Sequence, residues 1–283
     1  MILMKQVPIT VIILTLNEEL NIDTCLKSIY KWSDDIFILD SYSKDKTIEI
    51  SKKYVNNIIS VDQNHWSSIR NWALRNLPIK YDWVLFLDAD ERLTYELKTE
   101  IEEVTQDNSD INGYYINRRF IFLGRWLKHG GLYTKILRLF RYKFTYYIAD
   151  GDVEYAIVKG KSSYLKNDII HEDKKGIFNW IEKHNKISER AAIQFNKKHD
   201  ILLTTKNKEI EVEGGKLTYF KYKLWDKIPL ILRPIITFFY QYVIMLGFLD
   251  GIEGLTYHFL QAFWYRVLIY VKVKELQYYK SFK

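Results

Sequence analysis

An α/β fold is predicted for this 283-residue chain: a mostly parallel central sheet flanked by helices, then an α-helical, aromatic-rich C-terminal extension. Three observations predict it. Apolar, β-branched runs alternate with helix-period segments as far as residue 110, the pattern of strands joined by crossover helices. A Tyr- and Arg-rich region of strands follows. Charge is segregated as well: residues 1–215 carry 32 basic and 31 acidic side chains, whereas residues 216–283 carry 10 and 4. Nearly all of the formal net charge of +7 therefore sits in the tail, which also holds 18 of the 45 aromatics.

The first strand is expected at Ile9–Leu16, a β-branched run suited to burial on both faces. Asn21 is placed to cap a helix over Ile22–Tyr30, and DIFIL at Asp35–Leu39 makes the second strand. A polar loop over Asp40–Lys46 precedes a helix at Thr47–Tyr54 and a short strand near Ile58–Val61. Ser67–Leu77 reads as a helix, WVLFL at Trp83–Leu87 as a strand, and Tyr95–Val104 as another helix. Further strands are expected at Gly113–Arg119, Lys135–Arg141, Glu154–Lys159 and Ser163–Ile170, then a long helix at Gly176–Lys197. These divide the chain into a catalytic domain at 1–197, a polar linker at 198–215 and a tail at 216–283. Within the first, residues 1–110 form one half and 111–197 the other. The tail runs uncharged from Pro234 to Leu249, turns at a hinge over Asp250–Gly254, and ends in a second aromatic stretch to Val271.

Composition removes several classes. With 48% hydrophobic and 27% charged residues and four prolines, the chain is neither disordered nor collagen-like. A single cysteine, Cys25, excludes a disulfide framework within the chain and a Cys-based zinc site. Its spacing with Ile22, Leu26 and Ile29 reads as a buried helix face. The opening MILMKQVPITVIILTLNEE has no small-residue cleavage site and turns polar at Asn17-Glu18-Glu19. A core strand is expected there rather than a signal peptide, and with it a cytoplasmic location.

In an open parallel sheet, ligands bind beyond the carboxyl ends of the strands. Three acidic features fall there: Asn17-Glu18-Glu19, Asp40, and Asp88-Ala89-Asp90-Glu91. Asp88 and Asp90 can hold a hard divalent cation that shares its other positions with phosphate oxygens and water. Asp40 could accept hydrogen bonds from a base or ribose, while Arg70 and Asn71 offer a cation and an amide to the same phosphates. Taken alone, D-x-D is equally a polar turn before a helix. Neither G-x-G-x-x-G nor G-x-x-x-x-G-K-[ST] occurs, which disfavours a dinucleotide-dependent dehydrogenase or a P-loop enzyme.

TVIILTLNEELNIDTCLKSI, DDIFILDSYSKDKTIEI and WVLFLDADERL resemble the nucleotide-binding half of inverting family 2 glycosyltransferases with the GT-A fold. GYYINRRFIFLGRWLKHGG, LRLFR, YLKNDIIH and RPIITFFYQYVIMLGFLDGIEGL extend the resemblance to the bacterial subgroup that builds the lipopolysaccharide core and related surface glycans. The resemblance implies transfer of a sugar from a nucleotide donor, a UDP-sugar first, to a glycan or lipid-linked hydroxyl, with Mn²⁺ or Mg²⁺ as cofactor. It implies that Asp40 recognises the nucleoside and that Asn17 and Glu18 line the base pocket. Arg70 and Asn71 would lie near ribose or diphosphate, and Asp88 and Asp90, chiefly Asp90, would hold the metal.

The subgroup carries Val-His-Glu before the strand that leads to Leu-Lys-x-Asp-x-x-His. Counting back from His171 places the glutamate at Glu154, with Val153 where the histidine would stand. Glu154 is thereby implied as the base, Asp150 and Asp152 being rivals. His171 matches the family histidine that reaches metal or diphosphate. The glycines of His129-Gly130-Gly131 suit a mobile loop near the acceptor, and the remaining histidines, His65, His184, His199 and His258, read as structural or surface residues.

The uncharged run of the tail is shorter than the ~20 residues of a spanning helix. A peripheral attachment to an anionic membrane surface is expected, with Trp225, Trp264 and the tyrosines at the headgroup boundary and Lys216, Lys221, Lys223 and Lys227 meeting lipid phosphates. A packed helical hairpin is the alternative. A polyprenyl-phosphate sugar transferase and a catalytically silent nucleotide- or glycan-binding scaffold also remain open, whereas nucleic-acid binding is disfavoured by the near-neutral body.

Overall fold

The computed structural model describes residues 6–62, 66–107, 109–150, 153–204 and 228–280. Asp152, His65 and residues 205–227, with most of the expected linker and the early lysines and Trp225 of the tail, lie outside them.

β1 (Ile9–Thr15) lies between β2 (Asp35–Asp40) and β4 (Trp83–Asp88) and runs parallel to both, with β3 (Asn57–Ser60) parallel to β2 beyond. Past β4 the sheet becomes mixed. β8 (Lys135–Arg141) is antiparallel to β4 and to β6 (Ile111–Phe122). β6 pairs in parallel with β11 (Lys161–His171), and β5 (Glu91–Leu93) closes that edge antiparallel to β11. β7 (Arg125–Leu127) folds back on β6. The expected α/β sheet flanked by helices is thus present, wholly parallel in its first half and mixed in its second.

Period-two alternation explains why β1 reads as one apolar run. Ile9, Val11 and Ile13 pack with Ile22, Leu26 and Ile29 of α1 (Ile22–Ile29) and with Leu97 and Ile101 of α4 (Tyr95–Gln106). Ile12 and Leu14 point the other way, into Ile69, Ala73 and Leu74 of α3 (Trp66–Asn76). Buried Thr10 and Thr15 satisfy their hydroxyls by donating to Asp35 at 2.5 Å and Asp40 at 2.9 Å. Cys25 is buried on the α1 face as its spacing predicts.

Two local expectations are corrected. The Asn21 side chain makes no cap bond on α1; its amide donates to Glu18 and to Asp173, both at 2.9 Å, and its oxygen accepts from the Lys174 N–H at 2.9 Å. The effective cap is Thr94, whose hydroxyl accepts from the Leu97 N–H at 3.1 Å and starts α4 directly after β5. β9 (Thr145–Asp150) and β10 (Val153–Val158) form a separate antiparallel hairpin, and β5, β7 and β9 were not foreseen from the sequence.

By its contacts the chain divides into two units, one of residues 1–128 and 132–176, the other of 129–131 and 177–283. The helix α5 (Gly176–Thr204), expected with the catalytic domain, therefore groups with the C-terminal helices. The cause is aromatic: Trp180 stacks on His184 with centroids 3.6 Å apart and lies 6.2 Å from Trp264, while Arg233 covers Phe195. The helix Arg233–Phe239 carries Pro234 in its first turn, where no N–H is lost from the ladder. The chain breaks at Leu246, with φ of 60°, and restarts as the helix Gly251–His258. Gly251, with φ of 70°, lies in the expected hinge at Asp250–Gly254, so the break at Leu246 precedes a second one where a hinge was expected. Among the described residues no single helix is long and apolar enough to cross a membrane, although the pair Arg233–Ile244 and Gly247–Lys280, bent by 72°, meets that criterion by length and composition together.

Candidate active site

β4 delivers Asp88 to the mouth of the sheet, where two guanidiniums meet it. Arg138, on the neighbouring β8, grips both carboxylate oxygens, with Nη1 at 3.3 Å from Oδ1 and Nη2 in closer contact with Oδ2. Arg70 on α3 donates to Oδ1 at 3.2 Å. Burial opposes ionisation of Asp88, but Arg138 and Arg70 overcome it and hold the carboxyl well below the usual range. The buried Glu91 takes Arg138 Nη2 on Oε1 at 2.9 Å and the Asp88 N–H on Oε2 at 3.0 Å. Burial pushes its pKa up despite Arg138.

Asp90 turns the other way. β5 pairs with β11 so that His171 stands opposite Glu91, and the Glu172 N–H donates to the Asp90 carbonyl at 2.9 Å. Asp90 Oδ2 then lies 3.4 Å from His171 Nε2. Two donors each about 2.1 Å from one octahedral ion stand about 3 Å apart, so this pair fits a divalent cation whose remaining positions go to phosphate and water. Asp88 does not fit that role as placed, since both its oxygens are engaged by arginine. Among the described residues no group of three or more His, Cys, Asp or Glu side chains could hold a metal by itself. Nearby, Glu18 accepts from Lys175 at 2.6 Å and from Asn21 at 2.9 Å. Burial raises the Glu18 pKa even against Lys175.

Glu154 on β10 reaches the same constellation, because Arg70 contacts it through Nη1 while Nη2 serves Asp88. Arg70 itself lies over the rings of Tyr147 and Phe86, 5.4 and 5.9 Å from their centroids. Asn71, expected at the ribose or diphosphate, is elsewhere. Its amide donates to the Tyr147 carbonyl and its oxygen accepts from the Tyr147 N–H, both at 2.8 Å, so it fastens α3 to β9.

Two further placements depart from the sequence reading. Asp40 is only 1% exposed and accepts from Thr15 at 2.9 Å and from the Ser43 hydroxyl and N–H at 2.5 and 2.8 Å. It organises the loop after β2. Asn17 remains exposed at that mouth, in a left-handed conformation with φ of 53°, its oxygen accepting from the Lys44 N–H at 2.8 Å.

His129 and Gly130, expected on a mobile acceptor loop, are anchored within the second unit. The His129 N–H and ring Nδ1 meet the buried Asp250 at 2.9 and 2.7 Å, and the Gly130 N–H donates to the Met245 carbonyl at 2.8 Å. Gly130 has φ of 68°, and a Cβ there would stand 2.0 Å from the buried His258 ring. The glycine is demanded by close packing, not by mobility.

Sequence reasoning missed Arg138, Glu91 and Lys175 as members of the site. Glu91 was visible as the residue after D-x-D, and Arg138 lay within the quoted LRLFR. What linked them was the antiparallel pairing of β8 with β4, which period-two patterning does not reveal.

The glycosyl transferase family 2 domain matches residues 10–168, which span β1 through most of β11. A glycosyltransferase of Rickettsia conorii, itself uncharacterised, is 24% identical over 282 residues, covering 94% of this chain and 90% of the relative. The prophage-derived glycosyltransferase SunS of Bacillus subtilis is 34% identical over 101 residues, 35% of this chain and 24% of its own. Among solved structures, glucosyl-3-phosphoglycerate synthase of Mycobacterium tuberculosis superposes with a TM-score of 0.45 at 15% identity, covering 65% of this chain and 77% of that one. With more than half its length matched by one family domain, and with the D-x-D segment at the end of β4 inside the match, this chain belongs to glycosyl transferase family 2.

Proposed function

We propose that this protein transfers a sugar, with inversion, from a nucleotide-sugar donor to a hydroxyl of a lipopolysaccharide-core or lipid-linked glycan. A UDP-sugar is the proposed donor and Mn²⁺ or Mg²⁺ the cofactor. The observation that carries the reading is Arg70: one guanidinium joins Asp88 of the D-x-D segment to Glu154, so metal-side and base-side carboxylates lie within one side chain's reach.

In the proposed step the acceptor oxygen bonds to the anomeric carbon as the bond to the leaving diphosphate breaks, and Glu154 takes the hydroxyl proton. Asp90 and His171 hold the cation, which when bound neutralises charge on the diphosphate. Arg70 and Lys175 add fixed positive charge at the same mouth, and Asp88 aligns Arg70 and Arg138. Asn17 and Glu18 line the nucleoside side.

The lipid-linked acceptor is supported by the tail. Ile235, Phe239, Ile244 and Leu249 are exposed in a stretch that carries no charge between Arg233 and Asp250. An apolar surface of that extent suits the boundary of a membrane, at the inner face of the cytoplasmic membrane in this proposal. The test is a screen of UDP-, GDP-, CDP- and ADP-sugars with Mn²⁺ by thermal shift, followed by assay of the stabilising donor with lipid-linked acceptors. Stabilisation by a UDP-sugar and release of UDP are expected. Stabilisation by none of the four would contradict a nucleotide-sugar donor of these classes.

A further inference from the structure

Glu91 takes no part in the step just described and Arg138 enters it only through Asp88, yet both are among the most deeply placed charges of the described residues. The Glu91 side chain is fully buried and Arg138 is 8% exposed. Both Glu91 oxygens are fixed, Oε1 by Arg138 Nη2 at 2.9 Å and Oε2 by the Asp88 N–H at 3.0 Å. The same Oε1 faces Nδ1 of His171 at 4.0 Å, and that buried nitrogen has no hydrogen-bond partner among the described residues. Nε2 of the ring faces Asp90. Phe120 packs edge-on against the imidazole, 5.4 Å between centroids, which restricts the ring to this orientation.

We propose that Glu91 and Arg138 are positioning residues for the Asp90–His171 cation pair, a reading that rests on the metal role given above. A carboxylate facing Nδ1 keeps the proton on that nitrogen and leaves the Nε2 lone pair directed at a divalent cation. Glu91 can hold this place only while its own charge is compensated, because an unpaired carboxylate at such depth is strongly disfavoured. Arg138 supplies that compensation, and by gripping Asp88 as well it fixes the turn that aims Asp90. The order of action is Arg138 on Glu91, Glu91 on His171, and His171 with Asp90 on the ion.

The test uses Mn²⁺ alone as the probe, with free Mn²⁺ read by electron paramagnetic resonance for the full chain. Glu91→Gln and Arg138→Lys are each expected to weaken Mn²⁺ binding about ten- to a hundred-fold. A merely structural role would lower the thermal midpoint of the metal-free chain and leave Mn²⁺ affinity unchanged, and that result in folded variants would overturn the inference. If the wild-type chain binds no Mn²⁺, the metal role itself falls and this inference with it. Binding by wild type with equal binding by the variants removes the inference alone. Should neither variant fold, ¹⁵N shifts of His171 in the wild-type chain decide: the Nδ1–H tautomer is expected, and the Nε2–H tautomer would contradict the proposal.

Discussion

At the scale of single residues, Arg70 has the most consequential position. Its guanidinium is split between Asp88 and Glu154 and backed by two aromatic rings, so it cannot follow one carboxylate without leaving the other. In the proposed reaction, Glu154 meets the acceptor hydroxyl and Arg70 sets its orientation. Glu154→Gln keeps the shape and removes the proton acceptor. Turnover is expected to fall about 10²- to 10⁴-fold with donor affinity nearly unchanged, read by steady-state kinetics and by donor titration. Loss of donor affinity with retained turnover would move Glu154 out of the base role. The buried Asp40 teaches a related lesson, since an acidic residue at a strand end looks the same in sequence whether it faces a ligand or ties down its own loop.

Among the elements, the β9–β10 hairpin matters most, because it carries Glu154 yet stands outside the main sheet. Asn71 attaches it to α3 by bonding both polar groups of the Tyr147 backbone. Asn71→Ala leaves a buried N–H and C=O unpaired and is expected to cost about 1–3 kcal/mol, measured by urea unfolding. An unchanged midpoint would show that the hairpin is held by other means. The alternating half of the fold was legible because its strands are apolar runs and its longer helices show a 3.6-residue period. Of the hairpin only the second strand was legible, at Glu154–Lys159; TYYIAD was not, since it mixes polar and aromatic residues on a partly exposed surface. β5 is three residues long and too short for any periodicity. The site was legible in part for the same reason: Asp88, Asp90, Arg70, Glu154 and His171 are chemistry-bearing residues at strand ends or helix starts. Arg138 and Glu91 join them only through pairing between distant strands. The bonds that fix Asn71 and His129 were not legible, because their partners, Tyr147 and Asp250, lie 76 and 121 residues away.

For the whole molecule, the uneven charge and the aromatic tail acquire separate meanings. In the proposed reaction the diphosphate meets Arg70 and Lys175, two cations placed among carboxylates in a nearly neutral body, while the basic excess belongs to the C-terminal region. There the exposed apolar stretch from Ile231 to Ile252 calls for a surface to cover it, and an anionic membrane is the occupant proposed. Deleting residues 216–283 is expected to abolish sedimentation with anionic liposomes at moderate salt; equal sedimentation of the truncated chain would refute membrane attachment through the tail.

Glycosyl transfer dependent on Asp90 is the central claim. Its most direct measurement is nucleoside diphosphate release by the purified wild-type chain and by Asp90→Ala, with the stabilising donor, Mn²⁺ and a lipid-linked acceptor. The wild type is expected to turn over and Asp90→Ala to lose about a hundred-fold or more in rate while remaining folded. Equal turnover by the two proteins would contradict the account.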